Sequence, residues 1–362
     1  MIQLTLDNLE NFTRGAAFLG TGGGGDPYIG KLMLKHQLEQ GKTIKILSPS
    51  EIDDDILVCN VLSMGAPTVF VEKVPNGPAT LHALRKAEEI IKKKFDAVMP
   101  IEAGGVNSTI PLVVSGLSGL PVIDADGMGR AFPELQMVTY NVGDVDINPI
   151  VAVNDFMETA IFNARNSSSG EWLARAVCVR MGGICQMACY PMTGKQIKET
   201  AIHNTIKLSF DIGEKIQDAR KNKTDPTDAV IEFMKHSKPA RFGKVLFIGK
   251  ITDLLRETVN GFTRGKLYLK SLSNEDELLV EFQNEFLYAK LNDKILAMVP
   301  DLICAMDNES GEPITTDGLR YGQRIKIVSI SVPPVMRSIK ALDLFGPKAF
   351  GLDFDYVPVE NL

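Results

Sequence analysis

Several things that would direct the reading are missing from this 362-residue sequence. It has no basic stripe: the longest run of positive residues is Lys92-Lys93-Lys94, and the formal net charge is -6. A nucleic acid or an anionic membrane as main partner would call for a concentrated basic face. The lysine triplet ends a predicted helix, where it complements the helix dipole. The opening stretch, MIQLTLDNLENF, lacks the basic head, apolar segment and small-residue cleavage site of a secretory signal. No apolar run reaches the ~18 residues that would suggest a membrane span. The five cysteines are odd in number and scattered, as expected of reduced thiols in a cytoplasmic protein. The four histidines are equally dispersed, so a His-rich zinc site is not expected. There is no Gly-x-Ser-x-Gly nucleophile elbow, and no Gly-Lys-Ser/Thr follows the glycine-rich loop, so no nucleotide motif is found.

What is present fits a large globular chain. The residues are 44% hydrophobic and 23% charged, and the length suggests two or three domains. Apolar spacing predicts a helix over 7–19 and another over 27–40, the second capped by Asp26 with Pro27 in its first turn. Short apolar runs at 43–47, 56–62, 96–101 and 121–123 read as strands, with helices over 79–94 and 107–117 between them. That alternation predicts an N-terminal parallel sheet with flanking helices, over 1–166. The polar run Asn166 to Gly170 is the best linker candidate. The C-terminal part, 167–362, is expected to be a second α/β unit, with a long helical stretch over 194–221. From about 243 it turns β-rich, consistent with a small β-sandwich or barrel.

Three segments carry candidate chemistry. In Gly20-Thr21-Gly22-Gly23-Gly24-Gly25-Asp26, four successive glycines let backbone N–H groups approach a ligand, and the loop feeds a helix N-terminus that favours an anion. The plainer alternative is a helix–helix turn. Glu102 falls at the carboxyl end of a predicted strand, followed by Gly104-Gly105 and by Asn107 and Ser108, either of which could simply cap a helix. A carboxylate abutting a buried strand needs a partner. The third segment delivers Asp124 and Asp126 to the same end of the sheet, with Gly127 and Arg130 on the loop beyond. Paired acids beside a cation suit a general base, metal ligands or a substrate clamp. An Asp–Arg ion pair with an Asx turn at Gly127 is the structural alternative. Adjacent strands should bring Glu102, Asp124 and Asp126 together, and Ser63 to Pro67 follows another strand and is expected to add backbone donors to that crevice.

Taken together, these segments resemble the S-methyl-thiohydantoin desulfurase-like family, associated with hydantoinase and oxoprolinase proteins. The resemblance rests on the glycine loop, on Glu102 to Ser108 and on the run DADGMGRAFPELQM from Asp124 to Met137. It continues through Tyr190 to Gly194, Gly261 to Gly265, Gln283-Asn284-Glu285 with Pro300 to Ile303, and DGLRYGQR from Asp317 to Arg324. It implies a hydrolase that attacks the sulfur-bearing carbon of a thiohydantoin-type heterocycle, releasing a thiol or sulfide and leaving a hydantoin. On that implication, Asp126 or Glu102 would activate water and a protonated Asp124 would protonate a ring nitrogen. The Gly22 to Gly25 amides and Arg130 would stabilise developing charge or hold a substrate carboxylate. A divalent metal, if one is bound, would sit on Glu102, Asp124 and Asp126. Two other readings stay open: a hydantoin or oxoproline ring-opening amidohydrolase or its partner subunit, and a non-catalytic binding module for an anionic heterocycle. The expected partners are the small heterocycle itself, a second copy of the chain and a hydantoinase-type protein; nucleic acid and membrane are not expected.

Overall fold

A computed structural model describes residues 1–73 and 77–362. In chain order, the first ten strands are β1 (Ile2–Gln3), β2 (Lys45–Leu47), β3 (Leu57–Gly65), β4 (Ala97–Met99), β5 (Val122–Ile123), β6 (Ala125–Asp126), β7 (Ile150–Val153), β8 (Thr159–Phe162), β9 (Ile184–Thr193) and β10 (Ile202–His203). Among the described residues, eight of them form one sheet in the order β1-β2-β5-β4-β3-β9-β7-β8, while β6 and β10 make a separate two-stranded ribbon.

The centre of the large sheet, β2-β5-β4-β3, is parallel. Its flanks are not: β1, β9, β7 and β8 all run antiparallel to their neighbours, so the sheet is mixed. β3 is apolar almost throughout because both of its faces are covered. Alternation along the strands supplies two cores: Ala97 and Met99 point into one, Val98 into the other. The sheet also draws on both sides of residue 166, since β9 pairs with β3 along its whole length.

Two local expectations are corrected. The run Asn166 to Gly170 is a helix start rather than a loose connection: the Asn166 side chain accepts from Ser169 N at 2.8 Å and caps helix Ser167–Arg180. The stretch 194–221 is not one helix. Helix Gly194–Thr200 ends, β10 intervenes, Asn204 takes φ +62, and helix Thr205–Lys221 begins anew. That second helix crosses Leu6–Leu19 closely at glycines on both partners: a Cβ on Gly15 would lie 1.8 Å from Ser209 O, and one on Gly213 1.9 Å from Asn11 O.

The second sheet comprises β11 (Gly243–Val259), β12 (Phe262–Ser271), β13 (Glu277–Gln283), β14 (Glu285–Leu291), β15 (Lys294–Met298), β16 (Leu302–Asp307), β17 (Pro313–Ile314) and β18 (Arg324–Ile330), in the order β15-β14-β13-β12-β11-β18-β16-β17. Its pairings are antiparallel, and it curls far enough to bring β14 against β16. The long β11–β12 hairpin turns on Asn260-Gly261, both at positive φ, as a two-residue hairpin loop demands. The β13–β14 connection is tighter still. Asn284 sits at φ +58, and the pairing register shifts between Glu281 and Phe282. Leu287 is the extra residue, between Phe286 and Tyr288, and a bulge of that kind re-aims the side chains beside it.

Candidate active site

A cavity of about 40 Å³ lies where the carboxyl ends of β3 and β4 meet the glycine loop and the β13–β14 turn. Of the residues singled out from sequence, Gly24, Gly25, Glu102 and Asn107 line it, as do Ser63, Met64 and Gly65. The remaining walls come from Met128, from Phe132 to Leu135, from Arg175, and from Asn284 and Glu285.

Glu102 is 3% exposed. Its Oε1 accepts from Asn107 Nδ2 at 2.7 Å and its Oε2 from Phe132 N at 3.1 Å. Asn107 is itself fixed, accepting from Ser63 N at 2.8 Å and donating to Ser63 O at 3.1 Å. Burial pushes the Glu102 carboxyl up to about 7; the two donors and Arg130 pull it down, and Asp126 adds to the rise. Glu285, 2% exposed, is the second carboxyl of the cavity. Burial holds it well above the usual carboxylate range, Glu102 raises it further, and Arg130 and the Gly24 amide oppose. Its Oε2 has no hydrogen-bond partner. A buried polar oxygen without a donor is rare in a folded protein. Of the three carboxyls on the cavity, Glu134 is half-buried while Glu102 and Glu285 are buried, and burial shifts both of these toward the protonated form.

Arg130 is fully buried, and its guanidinium stacks on the Phe132 ring at 4.7 Å. Nε donates to Ala131 O, Nη1 to Pro300 O and Asp301 O, and Nη2 to Thr21 Oγ1 and Phe286 O. Those are all five donors of a guanidinium, so none is left for a substrate carboxylate. Arg130 ties the glycine loop to the second sheet and supplies a fixed positive charge near both glutamates.

The two aspartates stand outside the cavity. Asp124 Oδ1 accepts from Ile206 N at 2.7 Å and from Lys207 N at 3.2 Å, capping helix Thr205–Lys221 where Asn204 provides no side-chain cap. Asp126 Oδ1 accepts from Met128 N and Gly129 N, both at 2.6 Å, in an Asx turn. Burial raises both carboxyls to about 6. Asp126 Oδ2 lacks a hydrogen bond, and the buried Arg241 stands near enough to favour its charge. The expected convergence of Glu102, Asp124 and Asp126 is thus one of neighbourhood and not of a shared cavity. Among the described residues, no group of three or more His, Cys, Asp or Glu side chains could hold a metal ion, so the ligand set Glu102, Asp124 and Asp126 is not assembled.

The glycines serve close packing as much as ligand approach. A Cβ on Gly22 would lie 2.6 Å from the Phe286 ring, and one on Gly23 1.9 Å from Glu285 Oε1. Gly24 packs on Gly104, and Gly105 on the Gly25 carbonyl, while Gly127 fits under the Tyr140 ring. Thr21 is buried on Arg130. Asp26 is exposed and caps helix Pro27–Glu39 by accepting from Tyr28 N.

Two family profiles cover nearly the whole chain: one described as S-Me-THD-like, N-terminal domain, over residues 7–164, and one described as S-Me-THD-like, C-terminal domain, over 165–359. The chain belongs to the S-Me-THD-like family. That is the S-methyl-thiohydantoin desulfurase-like family the motifs resemble, and membership is consistent with a thiohydantoin-related role. No curated protein matches the chain. Among solved structures, a crystal structure of a protein from Chromobacterium violaceum superposes with a TM-score of 0.83 at 22% identity, over 99% of this chain and 100% of that one. At that identity the likeness is one of fold. No helix among the described residues is long and apolar enough to cross a membrane.

Sequence reasoning passed over Glu285 as a site residue. The signal was there in Phe282-Gln283-Asn284-Glu285-Phe286: a carboxylate between two apolar strand segments, beside a residue type that tolerates positive φ.

Proposed function

We propose that this chain hydrolyses the carbon–sulfur bond of a thiohydantoin-type ring, with Glu102 and Glu285 as the acid–base pair. The observation that carries the proposal is the pair itself: two buried carboxyls on one cavity, one fully hydrogen-bonded and one with a bare oxygen. Donors to both oxygens of Glu102 favour its ionised form, so it is the base; Glu285, with one oxygen lacking a donor, is the acid. Glu102 takes a proton from water as the oxygen attacks the ring carbon between the two nitrogens. Glu285 donates its proton to the ring nitrogen that receives the electron pair of the C=N bond. Collapse of the tetrahedral intermediate expels the thiolate, which takes the proton held by Glu102 and leaves as a thiol, while Glu285 regains a proton from the intermediate's hydroxyl, whose oxygen stays as the hydantoin carbonyl. Arg130 limits the cost of negative charge near the pair without touching the ring.

The test is thiol release from S-methyl-thiohydantoins by purified protein, with Glu102→Gln alongside. Release by the native protein that drops by about 10²–10⁴-fold in the variant supports the reading. Ring opening without thiol release would instead make the chain an amidohydrolase, and tight binding without turnover would make it a binding module.

A further inference from the structure

The cavity behind Glu102 and Glu285 has room for on the order of three waters, which leaves no space for a substituent on a five-membered ring. Two of its wall residues, Glu134 and Arg175, also line a second and much larger pocket of about 700 Å³ that opens to solvent. The outer pocket is floored by one face of helix Ser167–Arg180. Trp172, Arg175 and Val179 lie three and four residues apart and so project together. Phe262, the first residue after the β11–β12 turn, closes the far side, with the Arg175 guanidinium 4.4 Å from its ring centre.

Arg175 is positioned from three directions. Its Nε donates to Glu171 Oε1 at 2.7 Å, its Nη2 to Pro133 O at 2.7 Å, and its Nη1 to Gly261 O at 3.3 Å. The turn can come this close because residue 261 is glycine: a Cβ there would lie 2.9 Å from Arg175 Cδ. The apolar side chains of this pocket are in contrast left open to water. Trp172, the only tryptophan of the chain, is 73% exposed and Val179 is 45% exposed. An exposed indole and isopropyl group beside a half-buried phenyl ring, next to a cavity with two buried carboxyls, are the ordinary material of a ligand pocket.

We propose that this outer pocket is the subsite for the ring substituent, and that it selects thiohydantoins bearing a bulky apolar group, aryl or branched alkyl, at ring carbon 5. The proposal rests on the thiohydantoin reading of the inner cavity. The heterocycle sits inward, toward Glu102 and Glu285, and its side chain passes Glu134 and Arg175 to lie on Trp172 and Phe262. The occupant follows from adjacency: the two spaces lie on either side of Glu134 and Arg175, and the inner one has no room for a large side chain. Aromatic surfaces of this kind grip flat or branched apolar groups.

The experiment compares S-methyl-thiohydantoins carrying hydrogen, methyl, benzyl or carboxyethyl at carbon 5, using the native protein and Trp172→Ala. Trp172 is exposed enough for the variant to fold. In the native protein, kcat/KM for the benzyl compound should exceed that for the methyl compound by about 10–100-fold. Trp172→Ala should erase that preference, chiefly through KM, and leave the methyl compound within about twofold. In parallel, titration with 5-benzylhydantoin should shift the emission of the sole tryptophan in a saturable way. Equal turnover of all four rings, preference for the carboxyethyl ring, or a uniform loss in Trp172→Ala would overturn the subsite and leave the hydrolysis reading standing. Saturable emission change with no thiol release from any ring would do the reverse.

Discussion

Two acid clusters lie close together in this molecule, and they differ in what their oxygens touch. Asp124 and Asp126 direct their Oδ1 atoms at backbone N–H groups that open a helix or close a turn. Glu102 and Glu285 face a cavity; each pair has one oxygen without a donor, Asp126 Oδ2 and Glu285 Oε2. Burial raises all four carboxyls, so a perturbed pKa does not separate the pairs. Nor does a count of hydrogen-bond partners; only the glutamates line the cavity. A carboxylate that satisfies the backbone has its geometry fixed by the fold, whereas one that faces empty space still has an acceptor or a proton to offer a ligand.

The comparison breaks most readily at Glu285. Replacing it with Gln should lower thiol-releasing kcat by about 10²–10⁴-fold with a normal melting transition. Combining it with Glu102→Gln should cost little more than either change alone, because the two act as a unit. Steady-state rates with calorimetry on the same samples check both statements. Arg130→Met should have the next largest effect, and on folding rather than on turnover: it strands five acceptors and removes the buried charge near two glutamates. Denaturant unfolding should show a loss of about 3–5 kcal/mol.

Glu102 also sets a sign for pH. Its folded-state value near 7 lies above the ordinary 4.5, so its stabilising contribution is complete below the unfolded value and is lost as pH rises through about 7. Rate moves the opposite way: kcat/KM should climb through about 7 as the base ionises. Melting temperature and kcat/KM measured across pH 5 to 8 should therefore trend in opposite directions over that window. A smaller effect is expected at Gly23, where Ala would press on Glu285 Oε1. Turnover should fall by about tenfold, with stability changed by roughly 1 kcal/mol. The smallest is Asp124→Asn, which keeps an acceptor for Ile206 N and should cost about 1 kcal/mol, measured by denaturant unfolding, with little change in rate per folded molecule.

Much of the fold could be read from the chain because its signals are local. Apolar spacing marks helices Leu6–Leu19 and Pro27–Glu39, and Asp26-Pro27 marks a helix start. The breaks in that reading come from partners distant in sequence. Stretch 194–221 reads as a single helix because nothing nearby reveals that Asp124, some eighty residues earlier, caps its second half. Glu102 and the glycine loop were legible as site material, since a buried carboxylate and a run of glycines are both costly without a purpose. The loop's tolerance for Glu285 and Phe286 was not, because it depends on how a turn in the second sheet docks on it. Arg130 shows the same limit: a cation on a glycine-hinged loop suggests a clamp, and only its five acceptors, drawn from several segments, reveal a tie between domains.

The proposed division of labour gives the chemistry to Glu102 and Glu285 and the local fold to Asp124 and Asp126. Its most direct test is single-turnover thiol release from an S-methyl-thiohydantoin by Glu102→Gln and Asp126→Asn, each corrected to the same folded fraction. The rate should be lowered by about 10²-fold or more in Glu102→Gln and stay near-native in Asp126→Asn. A near-native rate in Glu102→Gln with a rate abolished in folded Asp126→Asn would contradict it and move the base to the aspartate.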